Sequence, residues 1–360
     1  MEALIELIYG IPVLGLVAQL LGYLLAVLPN ISPIILRAAV PIAFAALCGV
    51  ICERSGVVNI GIEGTMLVAA FVGWAAGVYL APMIGPTSAA GVPFGITPTL
   101  LLALLLAVLS GVVVALLHAW LSISVRADQI IVGTIINIAA FGVTGYVNTL
   151  MATGSPTGAG SFRPFVPPKE LTDLPVVGWL VEMFLFQGPI GISLLLVVIV
   201  FQVFLYRSRW GLRTRAVGEH PRGAETVGID VIRLRYRNVL LGGLLAAIGG
   251  AFLSLEVTGS FQQGMTAGRG FIGLAAMIVG RWTPLGAFGA ALLFASSAAI
   301  GDSIEISPPA GDLGTLLGGL PGQLFDALPY VVTIVVLAGV IGRSTPPAAD
   351  GLPYEREATT

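Results

Sequence analysis

Residues that could do chemistry are few in this chain of 360 residues. It holds two histidines, two cysteines and a single lysine: His118, His220, Cys48, Cys52 and Lys169. A phosphate-binding P-loop needs a Gly-Lys-Ser/Thr sequence, but Lys169 lies in Pro-Pro-Lys-Glu. The sequence also has no His-Glu-x-x-His, Cys-x-x-Cys or Asp-rich metal motif. It therefore predicts no enzyme, no resident metal or cofactor, and no P-loop nucleotide site.

Three ionisable residues, Glu63, His118 and Glu256, lie in or beside long apolar runs, where charge is costly and usually functional. Two interpretations of Glu63 stay open. Asn59 caps the third helix and Glu63 favours its dipole, or the pair lines a pore. For His118, a hydrogen-bonded interface histidine is favoured over a proton relay. Glu256, near the outer end of its apolar run, is expected to face water.

The composition places these residues in a membrane protein. The chain is 56% hydrophobic and only 10% charged, whereas soluble chains are about a quarter charged. A net charge of -2 indicates no nucleic-acid partner. Cys48 and Cys52 lie in one apolar run and are expected to be buried thiols instead of a disulfide. The predicted fold class is an all-α integral membrane protein, with one polytopic domain over residues 1–360.

About ten transmembrane helices are predicted, since each needs roughly 20 mostly apolar residues. The first is expected to end at Pro29 and Asn30, and the eighth is short enough to be a half-helix. The candidate spans are Leu7–Leu28, Pro33–Cys52, Ile60–Leu80, Leu100–Leu121, Gln129–Met151, Pro189–Tyr206, Val239–Val257, Phe271–Gly280, Pro284–Ile300 and Leu324–Ile341. Within the loop at residues 152–188, Leu174–Phe186 is expected to lie along the membrane surface.

The orientation follows from the distribution of arginine. The segment 207–238 holds eight of the 17 basic residues, and positive loops stay in the cytoplasm. This places residues 152–188, and an acidic loop with Asp302, Glu305 and Asp312, outside the cell. With ten crossings both termini are cytoplasmic, including a polar tail at residues 343–360. The first residues lack the positive start of a secretory signal, so a retained first helix is expected.

Within the Arg-rich segment, the pattern of breakers predicts a short helix. Trp210–Val217 is expected to extend the preceding helix, and Gly218 to Pro221 to break it. Pro221 suits the first position of a new helix, and Gly228 suits its end. A merely solvated loop that sets orientation is the alternative. The helix, break and short helix favour a rigid docking surface for a cytoplasmic partner.

Three segments carry a resemblance to a known family. They are the first motif, Glu53–Gly64 (ERSGVVNIGIEG); the second motif, Ala216–Ile229 (AVGEHPRGAETVGI); and the third motif, Met265–Ala276 (MTAGRGFIGLAA) with Gly280–Trp282 (GRW). The second motif resembles the coupling-helix segment of ABC importer permeases for branched-chain amino acids, simple sugars and nucleosides. The first and third are similar to signatures of the simple-sugar/nucleoside branch.

The resemblance implies the membrane-spanning permease subunit of an ABC importer in the plasma membrane of a prokaryote. Its expected partners are cytoplasmic ABC ATPase subunits, a sister permease or a second copy, an external solute-binding protein and the lipid bilayer. ATPase coupling is expected at Gly218, Glu219, His220, Pro221, Arg222, Gly223, Ala224 and Gly228. A separate ATPase subunit would hydrolyse the ATP.

The translocation path is expected where small residues and interrupted helices meet, because irregular backbone is tolerated only beside a cavity. The candidate path residues are Asn59, Glu63, Asn137, Gly268, Arg269 and Gly270. A path with so few charges favours a small neutral solute, a simple sugar such as glucose or a nucleoside. A stand-alone secondary carrier for a neutral solute is the alternative.

Overall fold

A computed structural model describes residues 12–87, 92–152, 160–174, 177–336, 338 and 344–355 of the chain. Within these ranges every regular element is helical, as the sequence predicts. The helices are α1 (Pro12–Glu53), α2 (Ile62–Ile84), α3 (Pro98–Ala119), α4 (Gln129–Ala152), α5 (Lys169–Thr172), α6 (Val177–Leu185), α7 (Pro189–Arg207), α8 (Arg209–Glu219), α9 (Pro221–Thr226), α10 (Val231–Phe252), α11 (Arg269–Val279), α12 (Pro284–Ile306), α13 (Asp312–Gly318), α14 (Gln323–Asp326) and α15 (Leu328–Val335). Short π-helices continue α3 over Trp120–Ser124 and α10 over Leu253–Thr258, and a 3-10 turn covers Pro93–Gly95.

Seven helices in the described ranges are long and apolar enough to cross a membrane: α1, α2, α3, α4, α7, α10 and α12. The chain is therefore a multi-pass membrane protein. This number does not confirm ten crossings, because the first two predicted spans form one helix and α11 has only 11 residues. The described part of the last predicted span holds the short α14 and α15. The predicted cytoplasmic termini fall on residues 1–11 and 356–360, outside the described residues.

Helix α1 corrects the prediction that Pro29 and Asn30 end the first span. It runs without interruption for 42 residues. Pro33 has no N–H to give to the carbonyl of Pro29, four residues earlier. The hydroxyl of Ser32 donates to that carbonyl instead, at 3.0 Å. Side chains of this kind allow proline inside apolar helices, because they satisfy the freed backbone group.

Two further boundaries differ from the predictions. The Arg-rich segment is not a loop as far as residue 238, because α10 begins at Val231 behind an Asp230 cap. Trp210–Val217 does not extend the preceding helix: Ser208 ends α7 in an extended conformation and caps α8 through Gly211. In addition, Asp302 and Glu305 lie in α12 and not in a loop.

The chain divides into two compact units, and one holds every candidate site residue. This unit comprises Ala39–Phe165, Gln187–Ala291 and Ile341–Thr360. Its centre is formed by α2, α3 and α10, which pack against one another, with α4 against α2. Close approach depends on small residues, as is common between membrane helices. A Cβ added at Gly243 would lie 2.2 Å from the Cβ of Ala115.

The other unit comprises Met1–Ala38, Val166–Phe186 and Leu292–Val340. Among its described residues, polar side chains tie the first helix to later segments. The hydroxyl of Tyr23 donates to the carbonyl of Ser307 at 2.9 Å, and the side-chain oxygen of Gln19 accepts from the N–H of Leu313 at 3.0 Å. Helix α6 lies in the part of the chain expected along the membrane surface.

Candidate functional site

The first motif connects α1 to α2 through a tight turn. Gly56 has a φ of 83°, and Gly61 precedes α2 without a side-chain cap. Asn59 is 2% exposed, and its amide nitrogen lies 3.8 Å from the sulfur of Cys48 and 3.9 Å from that of Cys52. The prediction that Asn59 caps the third predicted helix is therefore wrong. The two cysteines are free and buried, as expected.

Glu63 lies in the first turn of α2, but its carboxylate binds the start of another helix. It accepts from the backbone N–H of Gly268 at 2.8 Å and from that of Gly270 at 2.7 Å. These N–H groups flank the first residue of α11, where unpaired N–H groups and the helix dipole favour negative charge. Gly268, at a φ of 77°, forms the turn that presents them. Glu63 therefore fixes the start of α11.

A cavity of about 410 Å³ opens beside this turn. Among its lining residues are Glu63, Asn137, Gly268 and two half-exposed aromatic side chains, Phe141 and Phe271. The structure thus brings three candidate path residues to one cavity. The other three, Asn59, Arg269 and Gly270, are not among its lining residues.

The polar side-chain groups of Asn137 and Arg269 form hydrogen bonds with nearby backbone groups. The oxygen of the Asn137 amide accepts from Gly64 N–H at 2.7 Å, and its nitrogen donates to the carbonyl of Ile60 at 3.0 Å. It therefore holds α4 against the start of α2. The guanidinium of Arg269 folds back onto the carbonyls of Met265 and Thr266, at 3.1 and 3.3 Å. Their local roles are to shape the cavity wall and the turn.

The first and third motifs meet again at the other end of α11. Glu53, which is 6% exposed, accepts from the indole N–H of Trp282 at 2.5 Å. Arg54 donates to the carbonyls of Trp282 and Arg281, at 2.9 and 3.2 Å. Its guanidinium also lies 4.0 Å from the carboxylate of Glu219, in the second motif. The three motifs, far apart in sequence, thus converge around α11.

The second motif forms the short helix that its breakers predict. Pro221 occupies the first turn of α9, and Gly228, at a φ of 83°, follows its end. The helix is capped by His220, whose Nδ1 accepts from Gly223 N–H at 3.0 Å. Ala224 is buried, at 4% exposure, whereas Arg222 and Gly223 are exposed. One face of α9 is therefore anchored and the opposite face is open.

Two further ionisable residues have structural partners. The Nε2 of His118 lies 3.1 Å from the carbonyl of Val58, which agrees with a hydrogen-bonded histidine. The expectation that Glu256 faces water is wrong, because this residue is only 3% exposed. Its carboxylate accepts from the N–H groups of Ile190 and Gly191, at 2.8 and 3.1 Å, in the first turn of α7. No local sequence signal indicates this contact, because the two N–H groups lie 66 and 65 residues from Glu256.

Seven long apolar helices among the described residues define a multi-pass membrane protein. The family described as branched-chain amino acid transport system / permease component matches residues 31–337. The chain belongs to this family.

Relatives of the chain include the guanosine ABC transporter permease protein NupQ of Bacillus subtilis, 37% identical over 332 residues, 91% of this chain and 97% of that protein. The nucleoside ABC transporter permease protein NupC of Lactococcus lactis is 34% identical, over 87% of this chain and 93% of its own. TsgC13 of Haloferax volcanii, by its provisional name a glucose ABC transporter permease, is 32% identical over 86% of this chain and 90% of that protein. No solved structure matches the chain.

Proposed function

We propose that this chain is the membrane-spanning subunit of an ABC importer and forms the translocation path for a nucleoside. The observation that carries the proposal is the double attachment of α11. The first motif holds its start through Glu63 beside the cavity and its end through Arg54 beside Glu219. A rigid helix therefore links the surface that would receive a partner to the cavity that would pass a solute.

The cavity favours a neutral solute with an aromatic part. Phe141 and Phe271 line it and are 50% and 46% exposed, so their rings are available to a planar base. Among the described lining residues the one carboxylate is that of Glu63, and it accepts from backbone N–H groups. Two nucleoside permeases among the relatives support this choice, and the TsgC13 relative keeps glucose as the alternative solute.

The proposed complex has the partners expected of such an importer. An ABC ATPase subunit docks on the open face of α9 in the cytoplasm, and an external binding protein delivers the solute. A sister permease or a second copy completes the path in a prokaryotic plasma membrane. This arrangement places residues 152–188 outside the cell and the Arg-rich segment and both termini inside, with ten crossings. Family membership favours this complex over a stand-alone carrier.

The geometry suggests how ATP would drive the path. Closure of the ATPases moves α9, whose neighbour Glu219 lies beside Arg54. Arg54 holds the turn after α11, and α11, with 11 residues, is about 16 Å long. A displacement at Trp282 therefore reaches the Gly268 turn and changes the width of the cavity at Glu63.

The test is uptake of radiolabelled guanosine and glucose by the complex reconstituted in vesicles, with and without its ATPase. ATP-dependent guanosine uptake is expected, and the substitutions Arg222→Glu and Gly223→Asp, on the open face of α9, should abolish it. Lys169→Glu is the matched charge reversal outside the Arg-rich segment and should leave uptake unchanged. Uptake that continues without the ATPase would identify a stand-alone carrier instead.

A further inference from the structure

The segment Ser344–Glu355, here called the carboxyl-terminal strap, is tied to the same elements as the second motif. The hydroxyl of Ser344 donates to the carbonyl of Ile278, near the end of α11, at 3.0 Å. Further along, the N–H of Ala349 donates to the carbonyl of Gly218 at 2.8 Å, and the N–H of Ala348 to the carboxylate of Glu219 at 3.2 Å. The strap therefore runs from α11 to the junction between α8 and α9.

A buried arginine fixes the inner side of the strap. Arg235 is 1% exposed, and it donates to the carbonyl of Ser55 in the first motif and to that of Leu352 in the strap, both at 3.0 Å. Gly56 allows this arrangement, because a Cβ there would lie 2.6 Å from the Arg235 guanidinium and 2.9 Å from the carbonyl of Ala349. One side chain thus joins the strap to the end of α1.

The strap also packs directly on α9. Tyr354 shares an apolar cluster with Val217, Ala224, Val231 and Leu234, and its hydroxyl donates to the carboxylate of Glu225. The carboxylate of Glu355 pairs with Arg126 at 2.7 Å. The buried face of α9 therefore rests on the strap as well as on α8 and α10.

The outer side of the strap and the open end of α9 share a pocket of about 480 Å³. Glu219, His220, Pro221 and Arg222 form one wall, and six strap residues between Ala348 and Glu355 form the other. Leu352, in the strap wall, is 57% exposed. An exposed leucine rimmed by charged side chains resembles the apolar centre and polar rim of protein interfaces.

We propose that the pocket-lining part of the carboxyl-terminal strap, residues 348–355, is the second half of the ATPase-docking surface, so that a side chain of the ATPase enters the pocket between it and α9. The proposal rests on the proposed function, since its occupant is the ATPase subunit that α9 receives. Arg222 and Leu352 line the same pocket, so a side chain that fills this pocket contacts both residues. The occupant offers an apolar tip for Leu352 and polar groups for Glu219 and Arg222.

Cysteine protection tests this surface on the full-length chain. The two native cysteines are buried, so a cysteine introduced on the surface is the accessible thiol for a maleimide. Leu352→Cys, Arg222→Cys and Thr345→Cys are purified alone and in complex with the cognate ABC ATPase subunit. Labelling of Leu352→Cys and Arg222→Cys should slow at least tenfold in the complex. Thr345→Cys, exposed on the strap outside the pocket, should react at the same rate in both.

The three positions separate the two proposals. Protection of Arg222→Cys without protection of Leu352→Cys overturns the composite surface and leaves the proposed function in place. If the ATPase slows labelling at neither position, the proposal that the ATPase docks on α9 is wrong. As a second measurement, Leu352→Asp should reduce recovery of the ATPase with the tagged permease, and Thr345→Asp should not. Equal recovery with both variants would contradict the role of the strap.

Discussion

Glu63 offers the sharpest test of how the cavity is built. Its carboxylate receives two backbone N–H groups, from Gly268 at 2.8 Å and from Gly270 at 2.7 Å, at the start of α11. Glu63→Gln keeps the size of the side chain but replaces one accepting oxygen with an NH₂ group and removes the negative charge. One of the two N–H groups then faces a donor, and the turn at Gly268 must move.

The size of the effect follows from these contacts. A hydrogen bond to a charged group contributes about 1.5–3 kcal/mol to stability, and a carboxylate at a helix start about 0.3–1 kcal/mol. Glutamine retains one neutral hydrogen bond of about 1 kcal/mol. Because Glu63 is only partly buried beside an open cavity, water replaces part of the loss. The expected decrease in the free energy of unfolding is about 2 kcal/mol.

Thermal unfolding in detergent and ATP-driven uptake in vesicles measure this effect. The Glu63→Gln variant should melt a few degrees below the wild type and lose most of its uptake, since the start of α11 no longer has a fixed position. Glu170→Gln, at an exposed glutamate of α5, is the matched control and should change neither. A variant that melts and transports like the wild type would refute the assignment of Glu63 as the anchor of α11.

Three further substitutions test buried contacts. Glu256→Gln should lower the melting temperature as Glu63→Gln does, because it weakens the bonds to the first turn of α7; unchanged unfolding would contradict this. Gly56→Ala should loosen the strap, because the left-handed conformation costs a residue with a side chain about 1–2 kcal/mol, apart from any clash. A looser strap should be seen as faster maleimide labelling of an Ala349→Cys variant. The ratio of the labelling rate of Ala349→Cys to that of Thr345→Cys should also increase from pH 5 to pH 7. The additional substitution Asp350→Asn should abolish this increase.

The sign of this pH effect follows from the environment of Asp350. Burial raises the pKa of Asp350 to about 6, although its hydrogen bonds with Glu53 and Gly351 and the charge of Arg235 lower it. A carboxyl group whose pKa is higher in the folded strap stabilises it at low pH, and this contribution is lost as the pH rises through about 6. A constant ratio of labelling rates would contradict this account.

The short helix α9 shows what the sequence could predict. Pro221 and Gly228 act through their own backbone. Pro221 lacks an N–H group, which would have no partner at the start of a helix, and Gly228 readily adopts the left-handed φ that ends a helix. Both effects are local, and the structure places α9 at Pro221–Thr226, within a residue of the predicted turns. Apolar runs could also be recognised, because a span needs roughly 20 mostly apolar residues. Their limits could not, since two predicted spans form the single helix α1.

The partners of buried polar groups could not be predicted in the same way. Glu256 binds N–H groups 65 and 66 residues away, and Glu63 binds N–H groups 205 and 207 residues away. Nothing in their neighbouring residues indicates these partners. Long-range partners of this kind follow from tertiary packing. In α1, by contrast, the carbonyl of Pro29, which Pro33 cannot reach with an N–H, accepts a local bond from the hydroxyl of Ser32.

The two deep carboxylates also bear on how transport is driven. An ion-coupled carrier needs groups in its membrane region that bind and release a cation or proton during each cycle. Glu63 and Glu256 each accept two backbone N–H groups at the start of a helix. Neutralising either one would release a helix from its anchor. Both carboxylates therefore hold helices in place, which agrees with the proposal that ATP supplies the energy for transport through α9.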